Sequence, residues 1–398
     1  MHIAFLTPEY STPDRPEGGL ANYIHNVGNA LVERGHRVSV FVLSNRGNSW
    51  QDGKITVHEI NRMIVPRRVR AKQFHLMISQ IFSSRRLGSE LWKIHRETPF
   101  DILQSASYMA PGWALRRNGK VPLVCRVSSY TPMWRSAYGR KRNLGEYCSD
   151  WLEIRQVLDA EASFAPSQFV ADVYAQLEGC QLQLIRTPVH LHGTEMDHSF
   201  YHDHFTGEPY LLFFGTLSRI KGVDLLAQII PHILERRKDL NFVFVGRDDG
   251  FAGGPKIFEY LRSQCKQFAQ RIQYHSQIPR KYLNPVIANA LGVLMPSRVD
   301  NYPNACLEAQ SLGVPVVGTY NSSLEEMIID GETGFLARNG DPESLRQAVE
   351  RLLGMKPAQK QQMRKRILDS IHSIEAQDRV GQLVSFYETL IDTFRKSK

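Results

Sequence analysis

Two carboxylates eight residues apart, Asp300 and Glu308, frame the polar stretch DNYPNACLE in the last third of the chain. An apolar run, GVLM at 292–295, precedes it, and a second one, Val314 to Val317, follows Gly313. That order reads as strand, loop, helix and strand of a parallel α/β sheet. Ligands of such sheets bind beyond the carboxyl ends of the strands, where helix N-termini meet the loops. Asn304 reads as the helix N-cap behind Pro303, which would leave the amides of Ala305, Cys306 and Leu307 without helical partners. Free amides at the positive end of a helix dipole attract a phosphate. Ionised Glu308 only accepts hydrogen bonds, and its two oxygens suit a vicinal diol such as that of a ribose. Asp300 would sit nearer the far end of a bound nucleotide sugar. Taken alone, such an acidic pair is more often a surface Asp and a Glu that merely complements the helix dipole.

Cations stand at a second strand end. Tyr210 to Phe214 reads as a strand, and GTLSRIKG (215–222) carries Arg219 and Lys221 just before a helix expected over Val223 to Arg236. One or two cations beside a helix start can neutralise a departing diphosphate. Near the N-terminus, His2 to Thr7 reads as a strand and Leu20 to Arg34 as a helix, with Gly18 and Gly19 at the helix entrance. Two glycines there let the backbone approach a phosphate or sugar closely, although a lone pair of glycines is more often only a turn. The acids Asp248 and Asp249 follow the strand Asn241 to Gly246. The stretch VHLHGTEMDHSFYHDHF (189–205) gathers His190, His192, His198, His202 and His204 with Glu195, Asp197 and Asp203. Its spacing fits no zinc pattern, so it reads as a polar hinge rather than a metal site.

Together these stretches resemble retaining GT-B glycosyltransferases of glycosyltransferase family 4, whose signature is written E-x7-E. Here Asp300 stands at the first Glu and Glu308 at the second. The likeness runs on through FFGTLSRIKGVDLL (213–226), FVFVG (242–246), EEMIIDGETGFLA (325–337) and EGGLANYIHNVGNALVERGHRVSVF (17–41). The resemblance implies an α/β chain of two Rossmann-like domains with parallel sheets facing a central cleft. Residues 1–200 would form the acceptor-side domain and 205–374 the nucleotide-sugar domain, with the helix 375–398 packing back on the first. It implies transfer of a hexose-type sugar from a nucleoside-diphosphate sugar to a hydroxyl, with retention at the anomeric carbon. No metal or other cofactor and no nucleic-acid partner is expected. Asp300, Lys221, Arg219 and Ser128 would serve catalysis. Gly18, Gly19, Gly215, Thr216, Gly246, Tyr302, Pro303, Asn304, Ala305 and Glu308 would complete the donor site.

The chain also departs from the family pattern. Thr216 occupies the usual Arg position of G-R-L-x-x-x-K-G, where Arg219 could compensate. Ser128, with Ser129 beside it, stands where many relatives carry a His, and the strand end LQSASY lacks the other one. A serine is no base near neutral pH, but it can donate a hydrogen bond to a donor hydroxyl. With the donor phosphate taking the proton of the incoming hydroxyl, no side-chain base is needed. Two rival readings are a nucleotide-sugar epimerase of the same fold and a catalytically silent sugar-nucleotide-binding protein.

Length and composition fit this frame. The 398 residues allow about two or three domains, and 42% hydrophobic residues suit sizeable cores. A formal net charge of +9 favours anionic ligands, acidic glycans or an anionic membrane surface, or serves solubility alone. Five scattered cysteines without a C-x-x-C pair fit a reducing cytoplasm better than a disulfide framework. No signal peptide and no apolar run of roughly 18–20 residues is evident. Strands are expected at Arg37–Leu43, Lys54–Ile60, Asp101–Ser105 and Pro122–Ser128, and helix through 146–178 with a break at FAPS. The basic segment 62–96 reads as a helix packed on the N-terminal sheet with a solvated basic face. Peripheral contact with an anionic membrane through it, at the inner face, stays open.

Overall fold

The computed structural model describes every residue except 13–17, 64–73, 140, 189–195, 206 and 251–255. The chain divides into two compact units. The first takes residues 1–136, 140–188 and 378–398, the second 137–139 and 189–377.

In the first unit, eight strands form one sheet among the described residues, in the order Ser49–Asp52, Ile55–Asn61, Arg37–Ser44, His2–Thr7, Ile102–Ala106, Leu123–Arg126, Ala162–Ala165 and Gln183–Leu184. Every neighbouring pair is parallel except the first, where Ser49–Asp52 runs antiparallel to Ile55–Asn61. Strand alternation sends Phe5, Val40 and Val124 to one face, against Tyr23 and Val27 of helix Gly19–Glu33 and Leu383 and Tyr387 of helix Arg379–Lys396. It sends Leu6, Phe41 and Leu103 to the other, under Leu87 and Leu91 of helix His75–Glu97. The period of two in the strands and 3.6 in the helices is what makes both faces apolar. The order reverses between His2–Thr7 and Ile102–Ala106, the switch point of a doubly wound sheet.

The second unit repeats the plan with six parallel strands among the described residues, ordered Ile272–His275, Asn241–Val245, Tyr210–Phe214, Gly292–Leu294, Val316–Thr319 and Gly334–Ala337. Phe242 and Phe244 face Leu226 and Ile230 of helix Val223–Arg236, while Val243 and Val245 face Ile287 and Leu307 from the opposite layer. Its switch point lies between Tyr210–Phe214 and Gly292–Leu294, the two strands whose loops carry Lys221 and Asp300.

Some elements differ from the sequence expectation. Residues 146–178 are not one interrupted helix. They form helix Leu144–Leu158, strand Ala162–Ala165 and helix Gln168–Glu178, because ASFA is buried between sheet neighbours rather than exposed as a break. The pair Leu217–Ser218 and Asp248–Gly250 adds a small second ladder that a two-residue run could not announce. Part of the basic segment 62–96 lies outside the described residues; from His75 it is helical. No helix among the described residues is long and apolar enough to cross a membrane.

Candidate active site

Strand Tyr210–Phe214 is wholly buried and releases the chain at Gly215, whose N–H donates to the Val245 carbonyl at 2.9 Å. Thr216 follows half-buried, and the turn 219–222 closes with Gly222 N–H on the Arg219 carbonyl at 3.0 Å. Gly222 has φ +74°, and a Cβ there would come within 2.0 Å of the Pro296 carbonyl oxygen. Only a residue without a side chain lets these two strand-end loops meet. Arg298 secures the junction: its N–H bonds the Ile220 carbonyl at 2.7 Å. Its guanidinium bonds the Arg219 carbonyl at 2.5 Å and both oxygens of buried Asp224 at 2.6 and 2.9 Å. Sequence reasoning missed Arg298 and Asp224, since seventy-four residues separate them and neither sits in a recognisable spacing.

The closed junction delivers the Lys221 ammonium to Asp300, Nζ to Oδ2 at 2.6 Å. Ser297 Oγ donates to the same oxygen at 2.9 Å, and the Asn301 N–H donates to Oδ1 at 3.1 Å. Asp300 is only 7% exposed, so the carboxylate is held by three donors in a site of reduced dielectric, where charge interactions strengthen. Its charge and, above all, burial push the neighbouring Cys306 thiol far up, which leaves that thiol inert.

The helix after this loop corrects one expectation. It spans Asn304–Ser311 with Pro303, not Asn304, at the N-cap, and no side chain caps it. Pro303 keeps an extended ψ of 128° while its carbonyl takes the Cys306 N–H at 3.0 Å. The amides of Asn304 and Ala305, rather than those through Leu307, are therefore the helix-start donors without an intrahelical acceptor. Tyr302 sits at φ +54° with its ring buried and its N–H on Ser323 Oγ at 2.7 Å. It shapes the loop through its backbone. Glu308 faces Arg280, Oε1 to Nη2 at 2.8 Å, with the carboxylate side chain far less exposed than the guanidinium. Arg280 was another omission, twenty-eight residues upstream on a different helix.

Arg219 offers its guanidinium in the same turn as Lys221, and its buried Nε has no hydrogen-bond partner among the described residues. Gly246, at φ +147°, packs so tightly on the Gly215 carbonyl that a Cβ would lie 1.9 Å away. Asp248 is spent structurally: its carboxylate caps the next helix by accepting from Ile257 and Phe258 N–H at 3.0 and 3.1 Å. Asp249 pairs with Arg247 at 2.7 Å. His190, His192 and Glu195 lie outside the described residues, and among those described no three His, Cys, Asp or Glu gather as metal ligands would.

In the first unit, Gly18 is the N-cap of helix Gly19–Glu33 and accepts the Asn22 N–H at 3.1 Å, while open space surrounds Gly19. Ser128 lies just past strand Leu123–Arg126, its N–H on Ser107 Oγ at 3.0 Å and its hydroxyl 3.5 Å from the Arg126 guanidinium. That guanidinium is buried over the Tyr23 ring at 3.7 Å, with Thr187 Oγ1 at 3.3 Å. Burial pulls its pKa down.

A GT-B glycosyltransferase is the class that this pair of doubly wound units and this strand-end site define. A family model described as glycosyl transferases group 1 matches residues 208–355, and one described as glycosyltransferase family 4 matches residues 17–192. The chain belongs to the family 4 glycosyltransferases. It is 29% identical over 153 residues to a D-inositol 3-phosphate glycosyltransferase of Corynebacterium diphtheriae, a match covering 38% of this chain and only 36% of that one. To the protein of the same name from Pseudarthrobacter chlorophenolicus it is 25% identical over 371 residues, 84% of this chain and 82% of the other. Among solved structures, sucrose-phosphate synthase from Thermosynechococcus elongatus superposes with a TM-score of 0.79 at 18% identity, over 98% of this chain and 99% of that one. Anabaena HepE in complex with UDP-glucose gives 0.68 at 15%, over the whole of both chains.

Proposed function

We propose that this protein is a retaining glycosyltransferase that moves a hexose-type sugar from a nucleoside-diphosphate sugar to a hydroxyl acceptor without a metal ion. The observation that carries the reading is the Lys221–Asp300 contact of 2.6 Å, built where two loops flank the switch point of a parallel sheet. Its support among known folds is the bound UDP-glucose of HepE.

The donor diphosphate lies against Lys221, the Arg219 guanidinium and the amides of Asn304 and Ala305. All of these strengthen their hold as negative charge builds on the leaving oxygen. Asp300, already oriented by Ser297 and Asn301, takes hydrogen bonds from the sugar hydroxyls. Glu308 takes the ribose diol, sharing its carboxylate with Arg280. As the glycosidic C–O bond to phosphate breaks, the acceptor hydroxyl attacks the same face of the sugar and its proton passes to a phosphate oxygen of the departing diphosphate. Nothing else need accept a proton, and Ser128 on the acceptor side contributes a hydrogen bond only. Two cationic side chains do the neutralising that a divalent ion does elsewhere.

The test is a screen of sugar nucleotides by thermal shift, followed by diphosphate release with and without glycosyl acceptors. Release that depends on an acceptor, with the anomeric configuration kept in the product by NMR, is expected. Epimerised donor without acceptor, or binding without turnover across a broad acceptor panel, would replace this reading.

A further inference from the structure

Helix Leu144–Leu158 of the first unit mixes polarity in an unusual way. Beside Leu152 and Val157, its inner face buries Glu146, Ser149, Asp150, Glu153 and Gln156. Those groups are satisfied inward: Asp150 takes Arg135 at 2.7 Å and Arg142 at 3.0 Å, and Glu146 closes a capping box with Asn143. Glu153 accepts the Met109 N–H at 3.0 Å and the Thr131 hydroxyl, and Gln156 donates to the Ala106 carbonyl at 2.8 Å. The outward face instead shows Leu144 at 52%, Tyr147 at 50% and Trp151 at 53% exposure, the i, i+3 and i+7 positions of one stripe. Cys148 and Leu158 continue it half-buried. A surface helix ordinarily does the reverse, and burying five polar side chains to expose an apolar stripe is favourable only if something apolar covers the stripe.

Charge selects the cover. All three carboxylates of the helix point inward, so no acid shares the outer face. Exposed Lys141 rims it, beside half-buried Arg142, which lies over the Tyr147 ring at 4.2 Å while bonded to Asp150, and half-buried Arg155, which bonds Asp159 at 3.0 Å. The helix His75–Glu97, which packs alongside, exposes Phe82, Arg85 and Arg86. A second copy meeting this face by two-fold symmetry would set these cations against their own images. We propose that the outer face of helix Leu144–Leu158 docks on an anionic lipid bilayer, Trp151 and Tyr147 seated at the headgroup level and the Lys and Arg side chains on the lipid phosphates. This places the contact on a different helix from the basic segment first considered, and it is independent of the donor chemistry.

Flotation of the full chain with vesicles tests it. The protein should float with phosphatidylglycerol-rich vesicles and not with pure phosphatidylcholine. Salt should release it, and its tryptophan emission should shift to the blue on binding. The triple variant Leu144→Ser, Tyr147→Ser, Trp151→Ser, at exposed sites, should keep the wild-type melting temperature and lose about tenfold or more in vesicle affinity. Lys141→Gln should lose about fivefold, and Trp151→Phe should float while losing most of the blue shift. Equal flotation with both vesicle types, no flotation, or a triple variant that floats like the wild type overturns the proposal. So does light scattering that shows a dimer abolished by the triple variant, which would assign the face to a second copy.

Discussion

The two units share a sheet plan, but particular buried charges in them are treated in opposite ways. At the strand ends of the second unit two inner cations meet carboxylates: Lys221 with Asp300 at 2.6 Å and Arg298 with Asp224 at 2.6 Å. In the first unit, Arg126 at a strand end and Glu153 on helix Leu144–Leu158 are each buried with only neutral hydrogen-bond partners among the described residues. Burial accordingly moves both toward neutrality, drawing Arg126 down and pushing Glu153 up to about 7. Paired charges keep a loop junction rigid and leave a polar site ready for a charged ligand. Unpaired ones stitch strand ends to helices at a standing cost, which charge removal should relieve.

The same substitution in each unit breaks this comparison most sharply. Arg298→Met strands the buried Asp224 carboxylate and should cost about 3–5 kcal/mol, read as lowered stability in urea titration. Next comes Lys221→Ala, which should lower turnover by about 10²–10³-fold, as loss of a donor that stabilises leaving-group charge does. Its melting temperature should move little, since Ser297 and Asn301 still hold Asp300. Glu308→Ala should raise the donor KM about tenfold through one lost charged hydrogen bond, and the loss of its contact with exposed Arg280 should barely touch stability.

Smaller effects sharpen the first unit's side. Glu153 is ordinarily near 4.5 and sits near 7 when folded, so its protonated form favours the fold. That contribution is full below pH 4.5 and is lost as pH rises through 7. Between those limits Glu153→Gln should flatten the fall of melting temperature with pH and make the protein more stable than the wild type at pH 8. A wild type that gains stability across this window would contradict the contrast. Arg126→Met, which orphans no carboxylate, should leave stability unchanged or raise it, the opposite sign to Arg298→Met.

Much of this was legible before any coordinates. Apolar runs such as YLLFF and FVFV announced the central strands, and the glycines at 215, 222 and 246 flanked the strand-end loops; at 222 and 246 only glycine fits a positive φ against a neighbouring carbonyl. Asp300, Glu308 and Lys221 stood out by their places in the family's motifs, since an acidic pair or a lone Lys by itself is more often plain surface. Arg298, Arg280, Asp224 and Arg126 did not: each is an ordinary charged residue in its own segment, and its meaning lies in a partner far along the chain. The N-cap slipped by one residue for a local reason, since Asn caps well but Pro303 already held the extended conformation that an N-cap needs.

Periodicity and turn chemistry are local, so the chain by itself settled two doubly wound α/β sheets, membership in its family and the segments that would bear charge. Which charges meet is not local. Lys221 reaches Asp300 only because Gly222 lets two loops touch across the switch point, and helix Leu144–Leu158 reveals its apolar outer face only once its acids are seen buried. Pairing and burial depend on distance in space, and the folded chain alone decides that.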